Sequence, residues 1–253
     1  MAITFNSVGP CPHKITTVTE IGGATYAMFV YDGFKVADMD KALVFSLVGA
    51  NAPQKEYSIT DYLTNIYSAE NGKYQSLIDA MLYYGDAAQK AAYGESSVLA
   101  TAGAKLEKEF AAEYIETNFA TANLKTHSGL SAAGIALNLY GNITPILKVD
   151  ASVTEVTVSY NGKTATMATQ LAVDEDGNEY AYVIYTELLA TSLNNLMTVS
   201  YTLDGEEVSF DTNIAMYIVT ALNTQDLLTE NEANLARALA VYMRAARTFV
   251  GLD

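Results

Sequence analysis

Residues 57–94, YSITDYLTNIYSAENGKYQSLIDAMLYYGDAAQKAAYG, recur in outline near the C-terminus, and this duplication constrains the chain more than any other feature. Asp79-Ala-Met-Leu-Tyr-Tyr84-Gly-Asp-Ala87-Ala88 aligns with Arg237-Ala-Leu-Ala-Val-Tyr242-Met-Arg-Ala245-Ala246, setting Tyr84 on Tyr242 and paired alanines on paired alanines. Upstream, Tyr26-Ala-Met-Phe-Val-Tyr31 aligns with Tyr180-Ala-Tyr-Val-Ile-Tyr185, and Met39, Leu43, Phe45 and Leu47 align with Leu193, Met197, Val199 and Tyr201. A repeat at this scale governs the fold, because each copy is one structural unit with an equivalent core to bury. The chain reads as α+β: two diverged repeats, each of antiparallel β-sandwich-like strands followed by an α-helical pair. The expected parsing is a first lobe over 1–95, a helical connector over 96–128 and a second lobe over 129–253.

Within residues 57–94, Ser58 and Thr60 are good N-cap types ahead of Tyr62, Leu63, Ile66 and Tyr67, whose spacing marks one helical face. Asn71-Gly72 interrupts the pattern, since both residues tolerate a left-handed backbone. Tyr74, Leu77, Ile78, Met81, Tyr84, Ala88 and Ala92 then form the stripe of a longer helix.

Strands are expected over 3–8, 14–21, 26–31 and 42–47, with one helical turn over 36–39. Further on, strands over 134–140 and 143–149 flank Gly141-Asn142, and strands over 153–160 and 163–167 flank Asn161-Gly162, a strong hairpin signal. A strand over 180–185 and a pair over 196–203 and 206–210 follow, then helices over 212–222 and from Thr229-Glu-Asn-Glu232, which has capping-box spacing. Strands at this density describe a sandwich with helices attached.

Composition narrows function by exclusion. The 253 residues are 50% hydrophobic, which excludes disorder as the main state, and no apolar run reaches the length of a membrane span. The opening residues have neither a basic nor an apolar segment, so no signal peptide is expected. Net charge is -15, and the three arginines, Arg237, Arg244 and Arg247, all lie on the last helix, so a nucleic-acid partner is not expected. One cysteine, Cys11, and two distant histidines, His13 and His127, cannot build the usual nitrogen and sulfur metal cage, and no metal or other cofactor is expected. Asp174, Asp176 and Asn178 alternate like the first ligands of a calcium loop, but Gly177 is misplaced and no glutamate closes the pattern. A polar turn is the expected reading there.

The motifs Tyr57-Ser-Ile-Thr-Asp-Tyr62 and Tyr84-Gly-Asp-Ala-Ala-Gln89 resemble a module family of large secreted surface proteins from anaerobic gut bacteria. In that family a β-sandwich ends in a Tyr-Ser-Val-x-Asp-Tyr helix start and an Ala-rich helix carries Tyr-Gly-Ala-Ala-Ala-Gln. The second copy departs from the pattern, with Val208-Ser-Phe-Asp211 and Tyr242-Met-Arg-Ala-Ala-Arg247. Some such modules occur in the starch-adherence proteins of amylosomes. The resemblance therefore implies an extracellular, cell-surface address and a polysaccharide partner, α-glucan first.

Tyrosine usage, 18 with no tryptophan, suits sugar stacking, which needs an aromatic face flanked by hydroxyl-binding groups. Tyrosines shared by both copies are assigned to core. The candidates for ligand are the unshared Tyr83, Tyr93, Tyr140 and Tyr160, with Asp86 and Gln89 on the helix flank beside Tyr83. No carboxylate pair or nucleophile motif is singled out, so the expected function is a non-catalytic carbohydrate-binding module. The alternative is a structural or adhesive spacer with a protein partner or no ligand.

Overall fold

The computed structural model describes residues 2–5, 14–21, 23–30, 34–46, 55–99, 134–138, 143–186, 188–223 and 228–252, in two compact units, Met1–Leu106 and Glu107–Asp253. Of the expected connector over 96–128, residues 100–128 lie outside the described residues. Each unit mixes antiparallel strands with helices, as an α+β chain does.

In the first unit, β2 (Lys14–Ile21) and β3 (Ala24–Val30) form a hairpin, and β1 (Ala2–Phe5), β4 (Leu43–Ser46) and β5 (Lys55–Tyr57) form a sheet in the order β1-β4-β5. The three-residue β5 carries no sequence signal of its own. A 3-10 turn, Val36–Asp38, precedes β4. α1 (Ile59–Ile66) starts on a complete capping box, in which the Ser58 hydroxyl accepts from Asp61 N at 2.9 Å and the Asp61 carboxylate accepts from Ser58 N at 3.2 Å. Thr60 and Leu63 are its buried residues, whereas Tyr62, expected on the apolar face, is exposed. A turn with left-handed Glu70, Asn71 and Gly72 leads to α2 (Gln75–Tyr93), which ends on left-handed Gly94.

The core of this unit gathers Met39, Leu63, Ile78, Leu82 and Val98. Residues 84–89 of α2 are all buried, so here the helix is enclosed on every side instead of along one stripe. Gly85 is part of this closeness: a Cβ there would fall 1.7 Å from Met39 Sδ, so the Met39 side chain occupies the space a larger residue would need.

The second unit packs two four-stranded sheets. One has the order β10-β11-β7-β6, from β6 (Gly134–Asn138), β7 (Thr144–Asp150), β10 (Gln170–Val173) and β11 (Glu179–Ile184). The other has the order β13-β12-β8-β9, from β8 (Glu155–Tyr160), β9 (Lys163–Ala168), β12 (Met197–Leu203) and β13 (Glu206–Thr212). Both sheets turn alternate residues into one core: Leu147, Val149, Ala181 and Val183 from one, Val156, Val158, Val199 and Val208 from the other. Asn161-Gly162 and Asp204-Gly205 take the left-handed backbone that two-residue hairpins need. β10, another strand without a sequence signal, begins where the chain leaves β9 and crosses to the other sheet. The crossing residue Thr169 donates from N to Thr154 O at 3.0 Å and from its hydroxyl to Val153 O at 2.6 Å. A 3-10 turn, Ala190–Ser192, precedes β12, and α3 (Ile214–Asn223) and α4 (Glu230–Phe249) follow β13, α4 capped by Thr229 and Glu232 as its sequence predicts.

Each long helix fastens its own 3-10 turn in the same way. In α2, Gln89 Nε2 donates to Ala37 O at 3.1 Å and Asp40 Oδ1 at 2.8 Å. In α4, Arg247 Nη1 donates to Thr191 O and Asn194 Oδ1, each at 3.1 Å. The short helices also begin alike: Thr60 N donates to Met39 O, and Ile214 N to Leu193 O, each at 3.0 Å.

Candidate functional site

The α2 candidates turn out to be tied into the fold. Gln89 is 5% exposed and satisfied throughout, its Oε1 accepting from Ser97 N at 2.7 Å. Asp86 is equally buried and pairs with Lys90 Nζ at 2.9 Å. The expectation that both lie free on a helix flank is corrected, because the chain before β4 and the chain after α2 cover that flank. Tyr83 is half-buried and has interaction partners.

Tyr93 remains exposed, but it is engaged. Its hydroxyl donates to Asp38 Oδ1 at 2.8 Å, and Lys41 Nζ, itself paired with Asp38, sits 4.7 Å from the ring centroid. Bonding to the Asp38 carboxylate, then burial, raises the phenol pKa, and the same carboxylate raises that of Lys41.

Tyr160 closes the Asn161-Gly162 hairpin as expected, but its side chain lies in the core and is not offered to a ligand. It is 4% exposed, meets Tyr185 edge-on at 5.9 Å and donates its hydroxyl to Ser192 O. Burial pushes its pKa up to about 12. Its register explains the placement: Tyr160 shares a face of β8 with Val156 and Val158, all three inward. Tyr140 lies outside the described residues. The Asp174 carboxylate is used by its own turn, accepting from Asn178 Nδ2 at 3.0 Å, Asn178 N at 2.8 Å and Asp176 N at 3.0 Å, and these bonds, that of the Asn178 side chain foremost, lower its pKa.

The side chains that do converge on an accessible face belong to the outer side of sheet β10-β11-β7-β6. Alternation along β11 sends Ala181 and Val183 into the core and leaves Tyr180, Tyr182 and Ile184 outside. The two tyrosine rings are 6.2 Å apart and tilted by 51°. Lys148, which faces Tyr182 across β7, carries its ammonium 4.6 Å from the Tyr180 ring centroid. Gln170, which faces Tyr182 across β10, accepts the Tyr182 hydroxyl at 2.8 Å. Asp150 lies opposite Tyr180, its Oδ1 accepting from Ser152 N at 2.9 Å and from the Ser152 hydroxyl at 2.6 Å. These bonds lower the Asp150 pKa. Ala172 lies opposite Tyr180 on β10.

The face thus offers two aromatic surfaces, a cation and an amide within one strand spacing of each other. It was missed because Tyr180 aligns with Tyr26 in the duplication and was assigned to core. The detectable signal is the i, i+2 pair of tyrosines in Glu179-Tyr-Ala-Tyr-Val-Ile184, which puts both on one face.

A scan against protein-family models and searches of curated proteins and of solved structures returned no match. Among the described residues no helix is long and apolar enough to cross a membrane, and no group of three or more histidine, cysteine, aspartate or glutamate side chains is placed to hold a metal ion.

Proposed function

We propose that the chain is a non-catalytic carbohydrate-binding module whose ligand lies on the Tyr180–Tyr182 face. The observation that carries this reading is the tilted tyrosine pair, with the Lys148 ammonium over the Tyr180 ring and Gln170 bonded to the Tyr182 hydroxyl. A pyranose presents apolar C–H faces and polar rims, so it needs an aromatic surface below and hydrogen-bonding groups beside it. The 51° tilt favours a chain that turns between successive sugars over a flat ribbon, and α-glucans turn in this way. The resemblance to starch-adherence modules supports the same ligand and a cell-surface address.

We also read the two units as diverged copies of one β-then-α unit, supported by the matched fastening of the 3-10 turns by Gln89 and Arg247. That matched packing also favours a second reading, a spacer module with a protein partner or no ligand.

Affinity electrophoresis in soluble starch decides between them. Retarded migration in starch, stronger than in xylan or β-glucan, is the expected outcome. Tyr180→Ala and Tyr182→Ala should each weaken binding roughly tenfold, about 1.4 kcal/mol, with circular dichroism unchanged. Tyr93→Ala should leave retardation intact. Unaltered migration in all three polysaccharides would establish the spacer reading instead.

A further inference from the structure

The segment after α2 brings a hydroxyl, a carboxamide and a carboxylate into mutual contact. Ser97 Oγ donates to Asp40 Oδ2 and lies 3.4 Å from Gln89 Oε1. Asp40 Oδ1 accepts from Gln89 Nε2 at 2.8 Å. Ser97 N donates to Gln89 Oε1 at 2.7 Å. Each contact corresponds to a role in acyl transfer. The Asp40 carboxylate is bonded to the hydroxyl it would deprotonate, and the carboxamide carbon is one bond beyond the Oε1 that lies 3.4 Å from that hydroxyl. The Ser97 N–H is directed at the oxygen on which negative charge would develop. Through its second oxygen, Asp40 touches the nitrogen that would leave.

We propose that Ser97 and Gln89 join in an intramolecular ester, with Asp40 as the base. Ser97 Oγ attacks Gln89 Cδ as its proton passes to Asp40, and the C=O electron pair moves onto Oε1, held by Ser97 N–H. As that pair returns, the Cδ–Nε2 bond breaks and Nε2 takes a proton from Asp40. One carboxamide and one hydroxyl become one ester and one ammonia, and no oxidant, metal or other reactant is required. The exchange gives up the Nε2 bonds to Ala37 and Asp40, offset by a covalent tie, and loss of ammonia to bulk solvent drives it forward. The tie closes the chain from the last turns of α2 to the residue preceding Val98, whose side chain is fully buried in the first unit's core. The second unit has Arg247 in place of Gln89 and cannot form this bond.

Trypsin tests the proposal, because cleavage after Lys90 separates Gln89 from Ser97. The expected result is that peptides 74–90 and 91–105 of the full chain run as one species, lighter than their sum by one ammonia, and that hydroxylamine parts them. Both peptides recovered free at their full masses overturns the proposal. Ammonia lost with the peptides free, as succinimide formation at Asn161-Gly162 would give, overturns it equally. In Ser97→Ala and in Asp40→Asn the peptides should be free. A joined pair in Asp40→Asn would overturn the role of Asp40.

Discussion

The hydroxyl of Tyr160 illustrates how much of this protein's chemistry belongs to its core. Its pKa lies at about 12 because the side chain is buried. Below pH 10 both the folded and the unfolded chain keep the phenol proton. Between pH 10 and about 12 the unfolded chain releases it while the folded chain does not, so stability falls as pH rises through that window. The midpoint of urea unfolding should drop as pH rises above 10, and in Tyr160→Phe it should drop less steeply. Tyr201 and Tyr242, raised by burial, and Tyr93 and Lys41, raised by the Asp38 carboxylate, add to the slope.

Individual residues also mark the limits of what the chain discloses before it is folded. The duplication assigns Tyr84 to core, and it is buried, whereas Tyr180, assigned there by the same logic, lies outside. Local patterning reports which side of an element is apolar. It does not report that the chain before β4 will cover Asp86 and Gln89, because that contact spans about fifty residues of sequence and depends on Gly85 being small.

At the scale of elements, α2 and its 3-10 turn form a close junction in the first unit. Gly85→Ala should lower stability by about 1–3 kcal/mol, since Met39 must leave its rotamer to admit the new methyl. Chemical denaturation of the variant measures this, and a Met39→Ala background should recover part of the loss. Most strands and all four described helices were legible from periodicity, caps and Asn-Gly or Asp-Gly turns. β5 and β10 were not. β10 is a continuation of β9 past a sheet crossing and β5 is only three residues long, so pairing defines both and local propensity defines neither.

Across the whole molecule, charge restricts what can approach. A net charge of -15 leaves Lys148 on the Tyr180–Tyr182 face outweighed by the field of the chain. A neutral glucan should therefore be retained and an anionic polymer such as polygalacturonate should not, with only the latter gaining when salt is raised. Affinity electrophoresis in the two polymers at low and high ionic strength makes the comparison.

β11 joins that accessible face to the sandwich core through a strict two-residue rhythm. Inserting or deleting one residue within Glu179–Ile184 would turn Tyr180 and Tyr182 inward and push Ala181 and Val183 out. Descendants of this chain can therefore change ligand by substitution at 180 and 182 while the strand's length stays fixed. Tolerated insertions would accumulate in the exposed turn at 174–178, where lengthening leaves the phase of the strand untouched.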